Sequence, residues 1–538
     1  MRGGNDVYNE IMKTQTSPSQ TMSPRLYACA LAVLMTLSAC GGGGGGSSNS
    51  GSTPVANNPG TGTTPSNPTQ PTSPTNPTDT AGYLASQNLC AVPRTGIDAT
   101  TGLAYPDRQG TLKDEMTFLK GWIDTTYLWY KEVPTDINMA DYTNTVDYFD
   151  KLKTGATTAS GQPKDRFHYT YTTAEWNALN NASQDTGYGL TWSLNSVTAP
   201  RTWRIAIVQP GSPAAAAGLQ RGDRLMAVDG IDFVSTSDET QVAKLNAGLT
   251  PDGAGKQHTL TLQRAGSNFD VALTSAVVTT TPVKNVKTID TPTGKVGYLS
   301  FEDHNAVSEQ QLIDAFTTLK NQGATDLVLD MRYNGGGLLY VASELAYMVA
   351  GPTSAGKTFE RPVYNDKTAP APTIPFLDKA YGYSTPTGTP LPSLGLKHVT
   401  VLTTGDTCSA SEAVINGLRG VDVQVDLIGG ATCGKPYGFT PQDNCGTTYF
   451  AIQFQGVNAK GFGDYADGFA PTCTMPDDLS HALGDTSENV LAAALSYRAT
   501  GTCPAATAGL MTSVQTRLAK SPLKKIAILP THFRQQAR

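Results

Sequence analysis

The stretch Asp326-Leu-Val-Leu-Asp-Met-Arg-Tyr-Asn-Gly-Gly-Gly337 decides the fold, because an apolar run of strand length meets three glycines and then a helical pattern. It predicts a strand over 326–331 and a helix over 338–349. Glycines permit positive φ and let another group approach the main chain closely. N–H groups at such a turn, beside a helix N-terminus, can stabilise a developing oxyanion, although many glycine-rich turns are only turns.

The surrounding segment, 285–505, repeats this alternation of strand and helix. Further strands are predicted over 295–301, 398–404 and 423–428, and further helices over 308–321 and 409–418. A Ser308/Gln311 capping box is expected to open the first of these helices. Such alternation predicts a largely parallel sheet covered by helices, with function at the strand-to-helix turns.

A second unusual turn is Gly405-Asp-Thr-Cys-Ser-Ala-Ser-Glu412, which leads from a strand directly into a helix. Here Ser409 would present its hydroxyl at the positive end of the helix dipole, near the N–H of Ala410. Lys435 follows 26 residues later, past one strand, so the chain could return it to Ser409. An ordinary serine N-cap and a solvated surface lysine remain the alternatives.

Residues 184–277 have a different, β-rich texture. The run Gly211-Ser-Pro-Ala-Ala-Ala-Ala-Gly-Leu-Gln-Arg-Gly-Asp-Arg-Leu-Met-Ala-Val-Asp-Gly230 resembles the core of a PDZ domain, and Gly187-Tyr188-Gly189-Leu190 occupies the place of its carboxylate-binding loop. The resemblance implies that an extended peptide adds a strand beside this loop, whose N–H groups hold the peptide's terminal carboxylate. A β-rich domain packed purely for structure is the alternative.

Three motifs in one order carry a wider resemblance: Met331-Arg-Tyr-Asn-Gly-Gly-Gly337, Ser409-Ala-Ser-Glu412 and Gly434-Lys435, all after the PDZ-like segment. Together they resemble the carboxy-terminal processing, or tail-specific, serine peptidases. That resemblance implies a multidomain α+β protein: a small helical N-terminal domain, a PDZ-like β domain and a crotonase-like ββα catalytic domain with a largely parallel sheet. It makes Ser409 the nucleophile and Lys435 the general base.

The same resemblance assigns the oxyanion hole to the N–H groups of Ala410 and of Gly336 or its neighbour Gly337, and it implies no cofactor. The sequence also departs from the family, since many members have a Gln four residues after the Lys where this chain has Phe439. The candidates for a residue that orients the lysine are Gln442, Gln453 and Glu412. A Cys408–Cys433 disulfide that ties the two turns together is a further hypothesis.

A lysine acts as general base only when it is neutral, so the pKa of Lys435 must fall from about 10.4 toward 7 to 8, which is roughly 3.4 kcal/mol against the charged form. Burial without a nearby carboxylate could supply this, and we therefore expect Lys435 to be buried beside Tyr437 or Phe439. None of the six histidines stands in a recognisable catalytic context.

The N-terminal segments are typical of an exported, tethered protein. Residues 1–40 resemble a lipoprotein signal peptide, with an apolar run at 26–37 and a lipobox that ends at Cys40, the expected site of acylation. An uncleaved signal anchor or a chance cysteine is the alternative. Residues 41–84 are rich in Gly, Ser, Thr, Asn and Pro and predict a disordered tether. We therefore expect an exported protein anchored by lipid in the bacterial cell envelope, facing the periplasm or the cell surface.

The remaining boundaries are a helical N-terminal domain over 85–175, with helices near 111–130 and 144–152, and a C-terminal tail over 506–538. We find no chemistry in the N-terminal domain. The segment 461–469, rich in Gly, aromatic residues and Asp, could shape a substrate cleft or form a surface loop.

Export makes the cysteine count informative, because six cysteines beyond Cys40 suggest disulfides in an oxidising compartment, although six permit 15 pairings. No Cys or His spacing suits a structural metal. The formal charge is −6 and no basic block is present, which argues against nucleic acid as a partner.

The expected partners are polypeptide substrates, held through their C-termini, and the membrane, reached through the lipid anchor. The expected function is that of a serine endopeptidase of the carboxy-terminal processing type with a Ser/Lys acyl-enzyme mechanism. A catalytically silent, envelope-tethered peptide-binding adaptor and a small-molecule esterase or amidase are the alternatives.

Overall fold

The computed structural model describes residues 81–98, 101–504 and 517–519, which all belong to one unit. The predicted signal peptide with Cys40, the predicted tether as far as residue 80 and most of the predicted tail lie outside the described residues. Within the described ranges no helix is long and apolar enough to cross a membrane.

The N-terminal region is helical, with short strands. Its elements are α1 (Ala81–Leu84), β1 (Leu89–Cys90), β2 (Arg108–Gln109), α2 (Leu112–Thr126), α3 (Thr145–Lys151), β3 (Tyr169–Thr172) and α4 (Thr173–Ala182), with 3₁₀ turns at Tyr130–Glu132 and Met139–Asp141. Helix α1 occupies the last four residues of the predicted tether.

Helix α2 begins at a capping box, in which the Thr111 side chain accepts from the Asp114 N–H and the Asp114 carboxylate accepts from the Thr111 N–H. It ends at Thr126, earlier than predicted, because Tyr127 is extended. Its buried face packs into a core that also contains Tyr449 and Ile452 from the other end of the chain. The N-terminal helices therefore share a core with residues more than 300 positions further along the chain.

The PDZ-like region comprises β4 (Gln184–Gly187), β5 (Leu190–Leu194), β6 (Trp203–Val208), α5 (Pro213–Ala216), β7 (Arg224–Val228), β8 (Ile231–Asp232), α6 (Glu239–Leu249), β9 (Gln257–Arg264), β10 (Ser267–Thr274) and β11 (Ala276–Thr279). The sheet runs in the order β10-β9-β7-β6-β5-β24, where β24 is Arg517–Ala519 from the far end of the chain and pairs antiparallel with β5. Strand β8 pairs with β7, and β11 pairs with β4.

The catalytic region comprises β12 (Val283–Thr291), β13 (Gly294–Phe301), α7 (Ser308–Asn321), β14 (Asp326–Asp330), α8 (Leu339–Ala350), β15 (Thr358–Tyr364), β16 (Ile374–Pro375), β17 (His398–Thr403), α9 (Ala410–Gly420), β18 (Gln424–Gly429), β19 (Tyr437–Gly438), β20 (Gln442–Asn444), β21 (Thr447–Phe450), β22 (Phe454–Val457), β23 (Cys473–Thr474) and α10 (Asn489–Thr500). A 3₁₀ turn lies at Pro352–Ser354.

The main sheet has the order β12-β13-β14-β17-β18-β23, in which only the β12–β13 pairing is antiparallel. Helices α7, α8 and α9 cover one face and α10 covers the other. The largely parallel sheet covered by helices is thus confirmed. Because β14 lies beside β17, the turns that follow these two strands meet at one sheet edge, as expected for parallel neighbours.

The capping box predicted for α7 is wrong. The residue before the helix is Val307, without a side-chain cap, and Ser308 is already helical. Its hydroxyl donates to the backbone oxygen of Asp303 at 2.5 Å, while Gln311 accepts from the Val283 N–H. Both side chains are therefore engaged by the preceding loop and by β12 rather than by the helix start.

Two smaller sheets complete the catalytic region, one in the order β16-β15-β22-β19 and one in the order β20-β21-β3. The second contains a strand of the N-terminal region, so it joins the two parts of the chain. Disulfides Cys90–Cys445 and Cys473–Cys503 fasten distant segments of the chain to each other.

Candidate active site

Ser409 occupies the sharp turn between β17 and α9. Its backbone has φ +58° and ψ −115°, an unusual conformation for a residue with a side chain. Such conformations cost on the order of 1–3 kcal/mol and persist only where the surrounding contacts enforce them. The turn presents Ser409 at the start of the helix, as the sequence predicted.

Glu412 holds the Ser409 turn and the Lys435 turn together. Its fully buried carboxylate accepts the N–H of Ser409 at 3.0 Å and the N–H groups of Gly434 and Lys435 at 2.8 Å each. The hydroxyl of Thr432 donates to it at 2.6 Å. Burial raises the pKa of Glu412, and these donors oppose the increase. Among the three candidates for an orienting residue, Glu412 acts on the backbone of Lys435.

The other two candidates engage backbone groups instead. The Gln442 side chain donates to the backbone oxygen of Asp443 at 3.0 Å, and Gln453 accepts from the N–H of Thr440 at 2.9 Å. Each amide therefore has one backbone partner in its own strand connection.

A disulfide joins Cys408 and Cys433, with 5.1 Å between their Cα atoms. One cysteine directly precedes Ser409, and the other lies two residues before Lys435. The cross-link therefore ties the same two turns that Glu412 bridges through hydrogen bonds.

Lys435 is buried, with 8% of its surface exposed. Its Nζ lies 4.0 Å from the centre of the Phe439 ring and 5.2 Å from that of Phe167. The Phe439 ring, four residues after the lysine, is thus a direct neighbour of the amine. Burial beside Phe439 agrees with the sequence-based expectation, and Tyr437 lines the same cavity.

The contribution of the N-terminal region was missed by the sequence analysis. Besides the Phe167 ring, Arg166 donates from Nη2 to the backbone oxygen of Cys433 at 2.5 Å and to that of Ala466 at 3.3 Å. About 270 residues separate Arg166 from this turn, and no motif marks either residue. The strand pairing between β3 and β21 helps to bring them to the site.

The glycine loop packs directly on the Ser409 turn. A Cβ atom on Gly336, whose φ is +101°, would lie 2.7 Å from the Cβ of Ser409 and 2.9 Å from the N of Ala410, so no larger residue fits. However, the Gly336 N–H donates to Asn334 Oδ1 at 3.0 Å. Among the described residues, the N–H groups of Gly337 and Ala410 meet no acceptor, which favours this pair for the oxyanion hole.

Asn334 locks the glycine loop to the Ser409 turn. Its backbone oxygen accepts from the N–H of Cys408 and the hydroxyl of Ser411, both at 3.0 Å. Its amide donates to the backbone oxygen of Phe301, and His304 lies within hydrogen-bond distance of its Oδ1. The relative positions of nucleophile and glycines are therefore fixed by buried polar contacts.

A buried ionic network links the strand before the glycine loop to the PDZ-like region. Arg332 pairs with Asp330, Asp477 and Glu488, and Arg221 of the PDZ-like region pairs with the same Asp477 at 2.9 Å. Burial acts to raise the pKa of Asp477, but the two arginines hold it below its ordinary value.

Ser409, Lys435 and Gly337 line one cavity of about 380 Å³. Its walls also include Phe439, Glu360 and Tyr465. Tyr465 belongs to the segment 461–469, so this segment shapes the cavity, while Phe462 of the same segment is exposed.

The predicted carboxylate-binding loop lies at the start of β5. Gly189 has φ +77°, and a Cβ there would overlap the side chain of Ser212. Gly189 and Leu190 line a second cavity of about 670 Å³, whereas Tyr188 is buried and donates to the backbone oxygen of Gly248, and Gly187 ends β4. The loop thus divides into residues that face this cavity and residues that support it.

A PDZ-like domain, followed by a parallel sheet whose edge joins a strained serine, a buried lysine and a glycine loop, defines the class of the protein. Residues 295–454 match the profile of Peptidase family S41, residues 204–264 that of a PDZ domain, and residues 116–170 that of the Peptidase S41 N-terminal domain. Residues 295–454 are therefore a peptidase family S41 domain, preceded by the family's N-terminal domain and a PDZ domain. This confirms the resemblance found in the sequence.

Similar proteins agree with this assignment. A carboxyl-terminal-processing protease of a Picosynechococcus strain is 32% identical over 26% of this chain and 33% of its own length. The carboxy-terminal processing protease CtpA of Bacillus subtilis is 27% identical over 55% of this chain and 61% of its own.

A crystal structure from Bacteroides fragilis, assigned to the S41 proteases, is 25% identical with a TM-score of 0.56 and covers 74% of this chain and 98% of its own. The chain spans about a third of the length of the first curated relatives that it matches.

Proposed function

We propose that the protein is a serine endopeptidase of the carboxy-terminal processing type, which cleaves unfolded or C-terminally recognised polypeptides through an acyl-enzyme. The observation that carries this proposal is the convergence of Ser409, Lys435 and Gly337 on one cavity. A carboxylate and a disulfide that each bridge the two turns support it.

In the proposed reaction, the Ser409 Oγ attacks the peptide carbonyl carbon and the neutral amine of Lys435 takes the hydroxyl proton. The N–H groups of Ala410 and Gly337 stabilise the oxyanion. As the C–N bond breaks, Lys435 returns the proton to the leaving amine and an ester to Ser409 remains. Water, deprotonated by Lys435, then hydrolyses this ester and restores the serine.

The neutral amine is needed at the first step, and removal of Lys435 from water disfavours its charged form. The Phe439 and Phe167 rings define where the amine lies. In this chain, aromatic contacts occupy the place that many family members give to Gln, so the position of the base depends on packing as well as on hydrogen bonds.

The experiment that tests the proposal is cleavage of an unstructured protein and of a quenched fluorescent peptide by the purified full chain. Ser409→Ala should lower cleavage by at least about 10³-fold without loss of fold. Ser487→Ala, which removes a hydroxyl bonded to Asp485 at the protein surface, is the matched control and should retain wild-type rates.

A serine-directed acylating probe gives a second readout. It should label the wild type and not Ser409→Ala, while a silent peptide-binding adaptor would not react at all. A probe-labelled protein that cleaves small esters but no peptide would favour the esterase alternative.

We also propose that lipid on Cys40 anchors the protein in the cell envelope and that substrates are delivered through the edge of β5. The lipobox and the spacer that follows it support the first point, and Gly189 and Leu190 beside the large cavity support the second. Cys40→Ala should move the protein from the membrane fraction to the soluble fraction; unchanged membrane association would refute the anchor.

A further inference from the structure

Glu360 lies in the same cavity as Ser409 and Lys435 but has no part in the proposed reaction. It belongs to β15 and is buried, with 5% of its surface exposed. Its position follows from the pairing of β15 with β22, in which Pro362 lies opposite Gly456.

The Glu360 carboxyl group packs directly against the backbone of Gly456. A Cβ atom on Gly456 would lie 2.4 Å from Cδ of Glu360 and 2.5 Å from its Oε2. Because any side chain at 456 would collide with the carboxyl group, the backbone of β22 and the carboxyl group determine each other's position.

Other buried glutamates of the catalytic region have hydrogen-bond donors. Glu412 accepts four hydrogen bonds, Glu309 accepts the N–H groups of Gly382, Ser384 and Thr385, and Glu488 pairs with Arg332. Among the described residues, none forms a hydrogen bond or an ion pair with the Glu360 carboxyl group.

Burial alone raises the pKa of Glu360 to about 7. A buried carboxyl group without a partner is costly, and a group bound from outside the chain would supply the missing partner. The Glu360 carboxyl group borders the cavity that also contains Ser409, the proposed nucleophile.

We propose that Glu360 is the selective end of the pocket that receives the substrate side chain next to the scissile bond, and that it selects a basic side chain, lysine or arginine. This inference rests on the proposed function for its reaction. Leu339, Ala413 and Tyr465 supply apolar walls for the methylene stem of such a side chain, and a cationic head would reach the carboxylate.

The test uses a pair of quenched fluorescent peptides that differ only at the residue before the scissile bond, lysine in one and norleucine, which keeps the four-carbon stem but lacks the terminal amino group, in the other. Both peptides share one C-terminus, so the PDZ domain contributes equally. For the wild type, kcat/KM should be roughly ten- to hundredfold higher for the lysine peptide.

Glu360→Gln keeps the size of the side chain and removes its charge. It should bring the two kcat/KM values to within about threefold of each other, mainly by slowing the lysine peptide. Glu344→Gln, a buried glutamate on α8 outside this cavity, is the matched control and should keep the wild-type preference. Equal rates for the two peptides in the wild type would overturn the inference, while cleavage itself would uphold the proposed function.

Binding separates a failure of this inference from a failure of the proposed function. Fluorescence anisotropy with Ser409→Ala should show tighter binding of the lysine peptide, and the additional Glu360→Gln change should abolish the difference. If no peptide is cleaved but this binding preference is present, the pocket stands and the hydrolase does not. Absence of the preference in both binding and cleavage would refute the pocket.

Discussion

The PDZ edge and the cavity beside Ser409 are both suited to a polypeptide, but they recognise different parts of it. At the edge, the backbone of Arg517–Ala519 pairs with β5, in the register Arg517 with Leu194. The cavity is lined mainly by side chains. They include one buried carboxyl group, that of Glu360, which forms no hydrogen bond or ion pair with the described residues. A sheet edge binds a peptide through main-chain hydrogen bonds, whereas a pocket recognises its side chains. A substitution can therefore change recognition in one region without changing it in the other.

Loss of the proposed base, Lys435, should give the largest difference between the effect on cleavage in the cavity and the effect on peptide binding at the PDZ edge. Lys435→Met keeps an unbranched apolar side chain but removes the amine, and kcat should fall by about 10²- to 10⁴-fold. Binding of a peptide with a free C-terminus should not change, because the PDZ edge is untouched. Stopped-flow cleavage and fluorescence anisotropy measure the two quantities. Lys460→Met, at an exposed ion pair with Asp422, is the control.

The converse result would be informative. If Lys435→Met retains more than a tenth of the wild-type kcat, another group removes the serine proton, and the Ser/Lys assignment fails.

The two disulfides of similar span offer the next test. Cys408–Cys433 encloses a separation of 25 residues and Cys473–Cys503 one of 30. Chain entropy predicts a loss of about 3.5 kcal/mol in the free energy of unfolding when either is replaced by two serines. Only the first pair joins the Ser409 and Lys435 turns, so only its removal should also lower kcat at a temperature where both variants are folded.

Urea denaturation and peptide cleavage of Cys408→Ser/Cys433→Ser and Cys473→Ser/Cys503→Ser provide the comparison. Equal kcat values for the two variants would mean that Glu412 and Asn334 suffice to hold the site.

The pH dependence of stability sharpens the picture of the cavity. The pKa of Glu360 is raised from 4.5 to about 7, so between these values the unfolded chain releases a proton that the folded chain retains. The contribution of Glu360 to the free energy of unfolding is fully present below pH 4.5 and is lost as the pH rises through 7. Tyr364 and Tyr465 lie close enough to interact with this carboxyl group, and Lys435 lines the same cavity.

Glu360→Gln removes this titration. Relative to the wild type, its free energy of unfolding should increase between pH 4.5 and 8 by up to about 3 kcal/mol. Urea denaturation at the two pH values measures the change. Asp252→Asn, at an exposed carboxylate, should show no such trend. If the free energies of unfolding of Glu360→Gln and the wild type change equally with pH, the Glu360 carboxyl group is solvated.

Much of the catalytic fold was accessible from sequence, because local patterns determine it. The apolar run at 326–330 and the glycines after it predict a buried strand and its turn, and Ser409 and Lys435 stand at turns of the same sheet. The pairs that the sequence missed are long-range. Phe167 reaches Lys435, and Glu360 meets Gly456, through strand pairings that no local period encodes.

Local rules also failed where a side chain had a better partner. Ser308 resembled an N-cap, but its hydroxyl bonds to Asp303. Gln442 and Gln453, the other candidates for orienting the lysine, each have a backbone partner in the connecting strands, at Asp443 and Thr440. Such choices depend on tertiary contacts, which decide among several locally acceptable hydrogen bonds.

The smallest expected effect concerns the PDZ edge. Since Arg517–Ala519 pairs with β5 where a peptide would add its strand, the chain's own segment and a substrate C-terminus compete for one edge. Truncation after Pro504 keeps Cys503 and its disulfide but removes the competing strand, so the affinity for a peptide with a free C-terminus should rise about two- to tenfold. Fluorescence anisotropy measures this, with a C-terminally amidated peptide as the control. The truncation does not change the residues that line the Ser409 cavity, so the kcat for a short internal peptide should stay unchanged. Equal affinities for the free C-terminus before and after truncation would mean that peptides bind elsewhere.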